Sequence, residues 1–193
     1  MSLMLTASGR TFDPRAMAAD GTTGAVTIED IAHALSHICR FGGHCERAYS
    51  VAEHSLYVAD ILKSRGMPAA GQLAGLLHDA HEVYCGDVPT PIKAALGAPW
   101  REFESGVEKA VHAALGVNNL MDTWQAAVHD ADLSALVTEI RVLFLAPADA
   151  EARIRALGLE HVEPHSVVPG AAAPSVGLAQ RFLERYHTLR QEL

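Results

Sequence analysis

A chain of 193 residues, 49% hydrophobic and 20% charged, can enclose one sizeable core and has the composition of a globular protein. Its formal net charge of −8 argues against broad contact with nucleic acid or an anionic membrane, because both require clusters of Lys and Arg. A small phosphorylated substrate needs only a few local cations and stays compatible with this charge.

The cysteines and the N-terminus indicate a cytoplasmic protein. Cys39, Cys45 and Cys85 are too few and too scattered for a disulfide framework, and no two of them form a C-x-x-C pair. Free thiols suit a reducing compartment. The N-terminus lacks a basic patch followed by an apolar run, and no apolar stretch approaches transmembrane length, so we expect neither a signal peptide nor a membrane span.

The first predicted elements are an arm and two helices. Residues 1–26 are mixed in character and carry turn signals, so we expect an irregular arm with a short extended piece around Thr11. Apolar residues recur at helical spacing after a candidate N-cap, Thr27, which predicts an amphipathic helix over 28–40. Ser50 and Glu53 form a capping box, which predicts a helix that begins near residue 51 and carries His54 in its first turn.

The next predicted helix begins at Pro68 and carries polar residues at its C-terminal end. These are His78, Asp79 and Glu82, and Gly86 is well placed to end the helix. Because residues i and i+4 share a helix face, we expect His78 and Glu82 to point the same way.

The rest of the chain is predicted to be helical as well. After a proline-rich loop, Thr90 as N-cap begins a short helix, and further helices are expected over 99–115, 124–145, 147–157 and 176–193, with a surface loop over 163–175. No strand-like alternation is long enough to build a sheet. We therefore expect a single all-α domain over 27–193, with the candidate site in a core over 28–145 and further helices over 146–193.

Two imidazoles and two carboxylates on different predicted helices suit a divalent metal with room for water: His54, His78, Asp79 and Asp132. Asp130 and Asp132 lie about 200° apart around a helix, so they face different ways, and Asp132 adjoins the apolar stripe. Alone, a His-Asp pair is usually only the end of a buried helix. Arg40 could either reach an anion or complement the helix dipole.

Three motifs in order resemble the HD-domain superfamily of metal-dependent phosphohydrolases, and within it the bacterial 5′-deoxynucleotidase branch. They are E-H-S at 53–55, H-D-A-x-E-V at 78–83 and G-D-x-P-T-P-x-K at 86–93. The resemblance covers roughly residues 28–140. It implies an HD-domain bundle of about six to eight helices, a divalent metal (Mn, Co, Zn, Fe or Mg) and a homodimer.

The resemblance also implies a role for each candidate residue. His54, His78, Asp79 and Asp132 would be metal ligands, and Glu82 would orient or deprotonate the attacking water beside Asp79. Arg40 would contact phosphate, Asp87 would lie near the sugar hydroxyl, and Lys93 would lie near phosphate. Phe41 stands where that branch has Trp, which leaves the preference for deoxyribose open.

The expected reaction is hydrolysis of a nucleoside or deoxynucleoside 5′-monophosphate to nucleoside and phosphate. The alternatives are a nucleoside triphosphate triphosphohydrolase and a non-catalytic protein that binds metal or nucleotide. Cleavage of a cyclic dinucleotide is less favoured, because the sequence suggests no second group of His and Asp ligands.

Overall fold

The computed structural model describes residues 3–167, 169 and 175–193, without the side chains of Ser175 and Val176. It is an all-α protein, as the sequence predicts, and it also contains one small hairpin. The hairpin pairs β1 (Met4–Leu5) with β2 (Thr11–Phe12). The helices are α1 (Pro14–Asp20), α2 (Ile28–Leu35), α3 (Val51–Ser64), α4 (Ala69–Leu77), α5 (Glu82–Cys85), α6 (Thr90–Leu96), α7 (Ala98–Leu115), α8 (Asn118–Val142), α9 (Ala150–Ala156) and α10 (Ser175–Gln191).

Helices α3, α4 and α8 form the centre of the bundle, and their packing explains where the polar residues meet. The capping box predicted at Ser50 and Glu53 is present and fixes the start of α3. Gly75 on α4 lies so close to α3 that an added Cβ would overlap the side chain of Leu62. This close approach brings the end of α4 beside the first turn of α3, where His54 lies.

The N-terminal arm is more ordered than the sequence predicted. Besides the hairpin it contains α1, which begins after an N-cap at Asp13 and ends at Gly21 in a left-handed conformation. Helix α1 packs against α7, where Gly106 leaves room for the backbone of Ala18. The short extended piece predicted around Thr11 is confirmed as β2, whereas the prediction of an irregular arm was wrong for α1.

The helix predicted over 28–40 ends at Leu35, five residues early. The chain then extends, because Arg40 N donates to Tyr49 O and Val51 N donates to Ile38 O, both at 2.9 Å. A 3-10 turn follows over Arg40–Gly43, with Phe41 at φ 55°, in the left-handed region that favours glycine. Arg40 therefore lies on a bend rather than on a helix.

The helix predicted to carry His78, Asp79 and Glu82 is interrupted. Helix α4 ends at Leu77, and Glu82 begins the separate helix α5. Between them the backbone hydrogen bonds join residues three apart, as in a 3-10 helix. Ala80 N donates to Leu77 O, and Glu82 N donates to Asp79 O, each at 3.0 Å. His78 and Glu82 thus do not share a helix face, contrary to the prediction.

Two other expectations need correction. Helix α6 includes Thr90, which does not cap it with its side chain. Helix α8 spans Asn118–Val142 rather than 124–145. Much of the surface loop predicted over 163–175 lies outside the described residues.

Candidate metal centre

His54 and His78 face each other at the centre of the bundle. Their Nε2 atoms are 3.3 Å apart. His78 Nδ1 lies 2.8 Å from Gly75 O, and a carbonyl only accepts, so Nδ1 carries a proton and Nε2 of the neutral ring offers a lone pair. His54 Nδ1 lies 2.7 Å from Glu139 Oε1, which fixes the same tautomer when that ring is neutral.

The two predicted aspartates join these nitrogens. Asp132 Oδ1 lies 3.0 Å from His54 Nε2 and 4.0 Å from His78 Nε2. Asp79 Oδ2 lies 3.1 Å from His78 Nε2 and 3.6 Å from His54 Nε2. Ligands held by one divalent ion at bonds near 2.1 Å are about 3 to 3.5 Å apart, a range that the shorter distance of each aspartate meets and the longer one, 3.6 or 4.0 Å, exceeds. His54, His78 and Asp132 offer ligand atoms within 4.8 Å of one another and could hold a metal, and Asp79 lies beside both imidazoles.

Glu139 is a buried carboxylate that sequence reasoning missed. Besides His54 Nδ1, Glu139 Oε1 accepts a hydrogen bond of 2.8 Å from the hydroxyl of Tyr49. Its Oε2 lies 3.4 Å from Arg40 Nη2. Glu139 follows Asp132 by two helical turns on the apolar face of α8, and this spacing was the available signal. Its place behind His54 is that of a carboxylate that orients a metal-binding imidazole.

We expect Glu139→Gln to weaken Mn²⁺ binding by about 10-fold to 100-fold, the usual effect of losing such an outer carboxylate. The amide keeps the shape but no longer favours the tautomer with the proton on Nδ1 of His54. Glu102→Gln, an exposed change on α7, is the matched control. Metal titration of both variants checks this, and equal affinities would show that Glu139 is only a structural partner of Arg40.

The electrostatics of these residues favour a positive charge between the carboxylates. Burial and the Arg40 guanidinium lower the pKa of His54, but Glu139 and Asp132 outweigh them and raise it to about 9. Burial raises the pKa of Asp132, yet the His54 and His78 imidazoles lower it to about 2. Burial and the carboxylates of Asp79 and Asp87 raise the pKa of Glu82 to about 10. Without a metal, protons thus take up part of the negative charge.

This charge distribution predicts how stability depends on pH. His54 and Glu82 bind protons more tightly in the folded than in the unfolded chain, so both stabilise the fold fully below their unfolded pKa values. That contribution is lost as pH rises through their folded pKa values of about 9 and about 10. We expect the free energy of unfolding of chelator-treated protein to fall as pH rises from the unfolded pKa values toward these folded pKa values.

Urea unfolding at several pH values, with and without saturating Mn²⁺, measures this dependence. Because a metal replaces the protons on its ligands, Mn²⁺ should stabilise the chain more as pH rises. A free energy of unfolding that stays level with pH in the chelator-treated protein would contradict the proposed charge balance.

A small pocket of about 300 Å³ opens beside Asp79 and Asp132. Its lining contains every substrate-binding residue predicted from the sequence: Arg40, Phe41, Asp87 and Lys93. Glu82 also lines it, and one buried oxygen of that carboxyl, Oε2, has no hydrogen-bond partner among the described residues. His78 does not line this pocket but borders a larger cavity on the other side of the centre.

The two cations of this small pocket already have acidic partners. Arg40 Nη1 lies 3.5 Å from Asp79 Oδ2, and Arg40 also pairs with Glu139. Lys93 Nζ lies 2.6 Å from Glu104 Oε1. Arg40 therefore interacts with the candidate metal centre itself. Because α2 ends at Leu35, Arg40 does not lie at its C-terminal end, and a role limited to complementing the dipole of that helix is excluded.

A larger cavity of about 1050 Å³ reaches the same centre from the side of α1, α7 and α8. It is bordered by His78, Asp79 and Asp132, and by Ala18 and Ala19 of α1. Lys109 is the one Lys or Arg in the part of its lining that the structure describes. The candidate centre thus lies between a small pocket with two cations and a wider cavity with one.

The fold and the site define an all-α protein with a group of buried and partly buried His and Asp side chains that could hold a metal ion. No family model matches the chain. The chain is 34% identical to "Uncharacterized protein YfdR" of Escherichia coli strain K12 over 166 residues, 86% of this chain and 85% of that protein. It is also 34% identical to "Uncharacterized protein RCAP_rcc00048" of Rhodobacter capsulatus over 185 residues, 90% of each chain. The chain belongs to the family of these two proteins.

No helix in the described part of the chain is both long enough and apolar enough to cross a bilayer.

Proposed function

We propose that this protein is a metal-dependent phosphohydrolase of the HD-domain type that hydrolyses nucleoside or deoxynucleoside 5′-monophosphates. One observation carries the proposal. The Nε2 atoms of His54 and His78 are 3.3 Å apart, with carboxylate oxygens of Asp132 and Asp79 at 3.0 and 3.1 Å from them. Two imidazole lone pairs directed at each other repel unless a cation or a proton lies between them.

His54, His78, Asp79 and Asp132 would hold the metal. A bound divalent cation supplies Lewis-acid activation of water and of the phosphoryl group. Mixed nitrogen and oxygen ligands accept Mn²⁺, Co²⁺, Fe²⁺ or Zn²⁺, so the identity of the metal is left to experiment.

Arg40 and Lys93 support a phosphate substrate. Both line the small pocket, and Arg40 lies against Asp79 and Glu139, so an incoming phosphate would compete with these carboxylates for the guanidinium. A guanidinium matches a phosphate through two parallel hydrogen bonds. In this proposal Arg40 orients the phosphate, and Lys93 neutralises part of its charge.

Glu82 is the proposed proton acceptor. It is buried and lines the small pocket with Asp79, and its unbonded oxygen can receive a hydrogen bond from water. Its pKa of about 10 reflects burial and two nearby carboxylates, and added positive charge at the site would lower that pKa toward the range of a working base.

The size and charge of the cavities favour a monophosphate over a triphosphate. The small pocket of about 300 Å³ is at the lower end of volumes for small-molecule sites. The larger cavity has room for a triphosphate, but Lys109 is the one Lys or Arg among its described lining residues. The acidic residues Glu108 and Asp122 also line this cavity. A triphosphate would carry more negative charge than these cations can neutralise.

Product analysis tests this assignment. Metal-loaded protein is incubated with ribo- and deoxynucleoside monophosphates and triphosphates, and the products are separated. Inorganic phosphate from monophosphates is the expected result, and the ratio of ribo to deoxyribo rates reports how Phe41 shapes the sugar pocket. Tripolyphosphate would instead assign a triphosphohydrolase, and binding of nucleotide without any product would assign a sensor. The homodimer and the cytoplasmic location stay predictions.

A further inference from the structure

A second group of potential ligands lies outside the candidate metal centre and has no role in the proposed reaction. His81, Cys85 and Glu104 each offer one ligand atom, and these atoms all lie within 4.8 Å of one another. His81 is buried, and the other two side chains are partly buried. Spacing along the chain does not connect them, because Glu104 belongs to α7, whereas His81 immediately precedes α5 and Cys85 ends it.

The local structure holds these three side chains in a fixed arrangement. His81 immediately precedes α5 and Cys85 ends it, so these two residues stand at opposite ends of one short helix. Cys85 Sγ lies 3.4 Å from His81 O, which directs the thiol back along the helix. His81 Nε2 lies 3.9 Å from Glu104 Oε1.

Two observations at this cluster favour the binding of a cation. Buried His81 Nδ1 has no hydrogen-bond partner among the described residues. The carboxylate of Glu104 is ionised, since His81 and Lys93 lower its pKa to about 2, against the effect of burial. At present Lys93 Nζ, 2.6 Å from Glu104 Oε1, supplies the positive charge.

We propose that His81, Cys85 and Glu104 form a second metal site that takes a thiophilic divalent cation such as Zn²⁺. One nitrogen, one sulfur and one oxygen ligand leave the fourth position of a tetrahedral ion for water. The ligand set differs in kind from that of His54, His78, Asp79 and Asp132, which contains no sulfur, so soft ions would prefer the second site.

This second site would affect Lys93. An ion on Glu104 competes with the ammonium group, so binding at His81, Cys85 and Glu104 would release Lys93 from its partner. Lys93 also lines the small pocket beside Asp79. Occupancy of the second site would therefore make one more cation available there, a consequence that rests on the proposed function, whereas the site itself does not.

Cobalt titration of the full chain tests the second site by a signal that the first centre cannot give. A thiolate bound to Co²⁺ produces an intense near-ultraviolet charge-transfer absorption, and the centre of His54, His78, Asp79 and Asp132 has no thiolate. We expect two equivalents of Co²⁺ per chain together with this absorption. Cys85→Ser should remove the absorption and one equivalent, while Cys39→Ser and Cys45→Ser, the matched controls, should retain both.

Two further variants separate this proposal from that of the phosphohydrolase. Asp132→Asn, which disrupts the first centre, should leave the thiolate absorption intact. Lys93→Met should shift half-saturation of the absorption to lower Co²⁺ concentration, because it removes the competing ammonium. Absence of the absorption, or its survival in Cys85→Ser, would overturn the second site. Glu104 would then serve only as the ion-pair partner of Lys93.

Discussion

Asp132→Asn is expected to reduce phosphate release from a 5′-monophosphate by about a thousandfold or more, with loss of tightly bound metal. Asp132 Oδ1 is 3.0 Å from His54 Nε2, where a ligand to a shared ion would lie. A metal contributes several kcal/mol to transition-state charge stabilisation, and about 4 kcal/mol corresponds to a thousandfold in rate. Asparagine keeps the shape but offers a neutral oxygen.

Asp130→Asn provides the matched control for that change. Asp130 is on the same helix, two residues earlier, and its side chain is exposed. Metal content and initial rates of the two variants, measured with the same Mn²⁺ supply, form the comparison. If both variants kept wild-type rates, Asp132 would not be a ligand; if both lost activity equally, the effect would come from α8 and not from the site.

Glu82→Gln is expected to lower kcat by about a hundredfold to ten-thousandfold while the metal remains bound, which is the usual contribution of a general base. Glutamine can hold water by a hydrogen bond but cannot accept its proton. Because Glu82 lines the small pocket beside Asp79 and is not among the four proposed ligands, metal affinity should change little.

Glu102→Gln is the control for this second change, since it alters an exposed glutamate on α7. The pH profile of kcat gives an independent readout, because the limb that reports the base should disappear in Glu82→Gln. An unchanged kcat would show that the water is activated without Glu82, and a parallel loss of metal would show that Glu82 supports the ligands instead.

The sequence was most informative where local chemistry decides the structure. The capping box at Ser50 and Glu53 depends on residues three apart, and it correctly located the start of α3 and the position of His54. The choice of Asp132 over Asp130 followed from the apolar face of α8, and Asp132 is the one that meets the histidines.

The points at which helices are interrupted were not predictable from periodicity. The apolar pattern of α4 continues into the segment with His78, yet the backbone switches to bonds spanning three residues before Glu82. No Gly or Pro lies between His78 and Glu82 to mark this change. Likewise Arg40 leaves the helix of α2 because residues 38–40 pair with residues 49–51, a contact between distant parts of the chain.

Residues that act through other residues were the hardest to find. Glu139 has no motif, and its significance depends on His54, Tyr49 and Arg40, which come from other elements. Glu104 similarly acquires its neighbours only when α7 packs beside α5. Spacing along one helix can identify a face, but it cannot state which side chain of another helix will lie opposite.

The most direct test of the central claim is to measure bound metal and phosphate release on the same preparation of protein. The chain is stripped with chelator, reloaded stepwise with Mn²⁺, and assayed with a deoxynucleoside 5′-monophosphate at each step. We predict that release is absent in stripped protein and rises in proportion to metal held by His54, His78, Asp79 and Asp132. Phosphate release that is undiminished by complete stripping, or none at full metal occupancy, would contradict a metal-dependent phosphohydrolase.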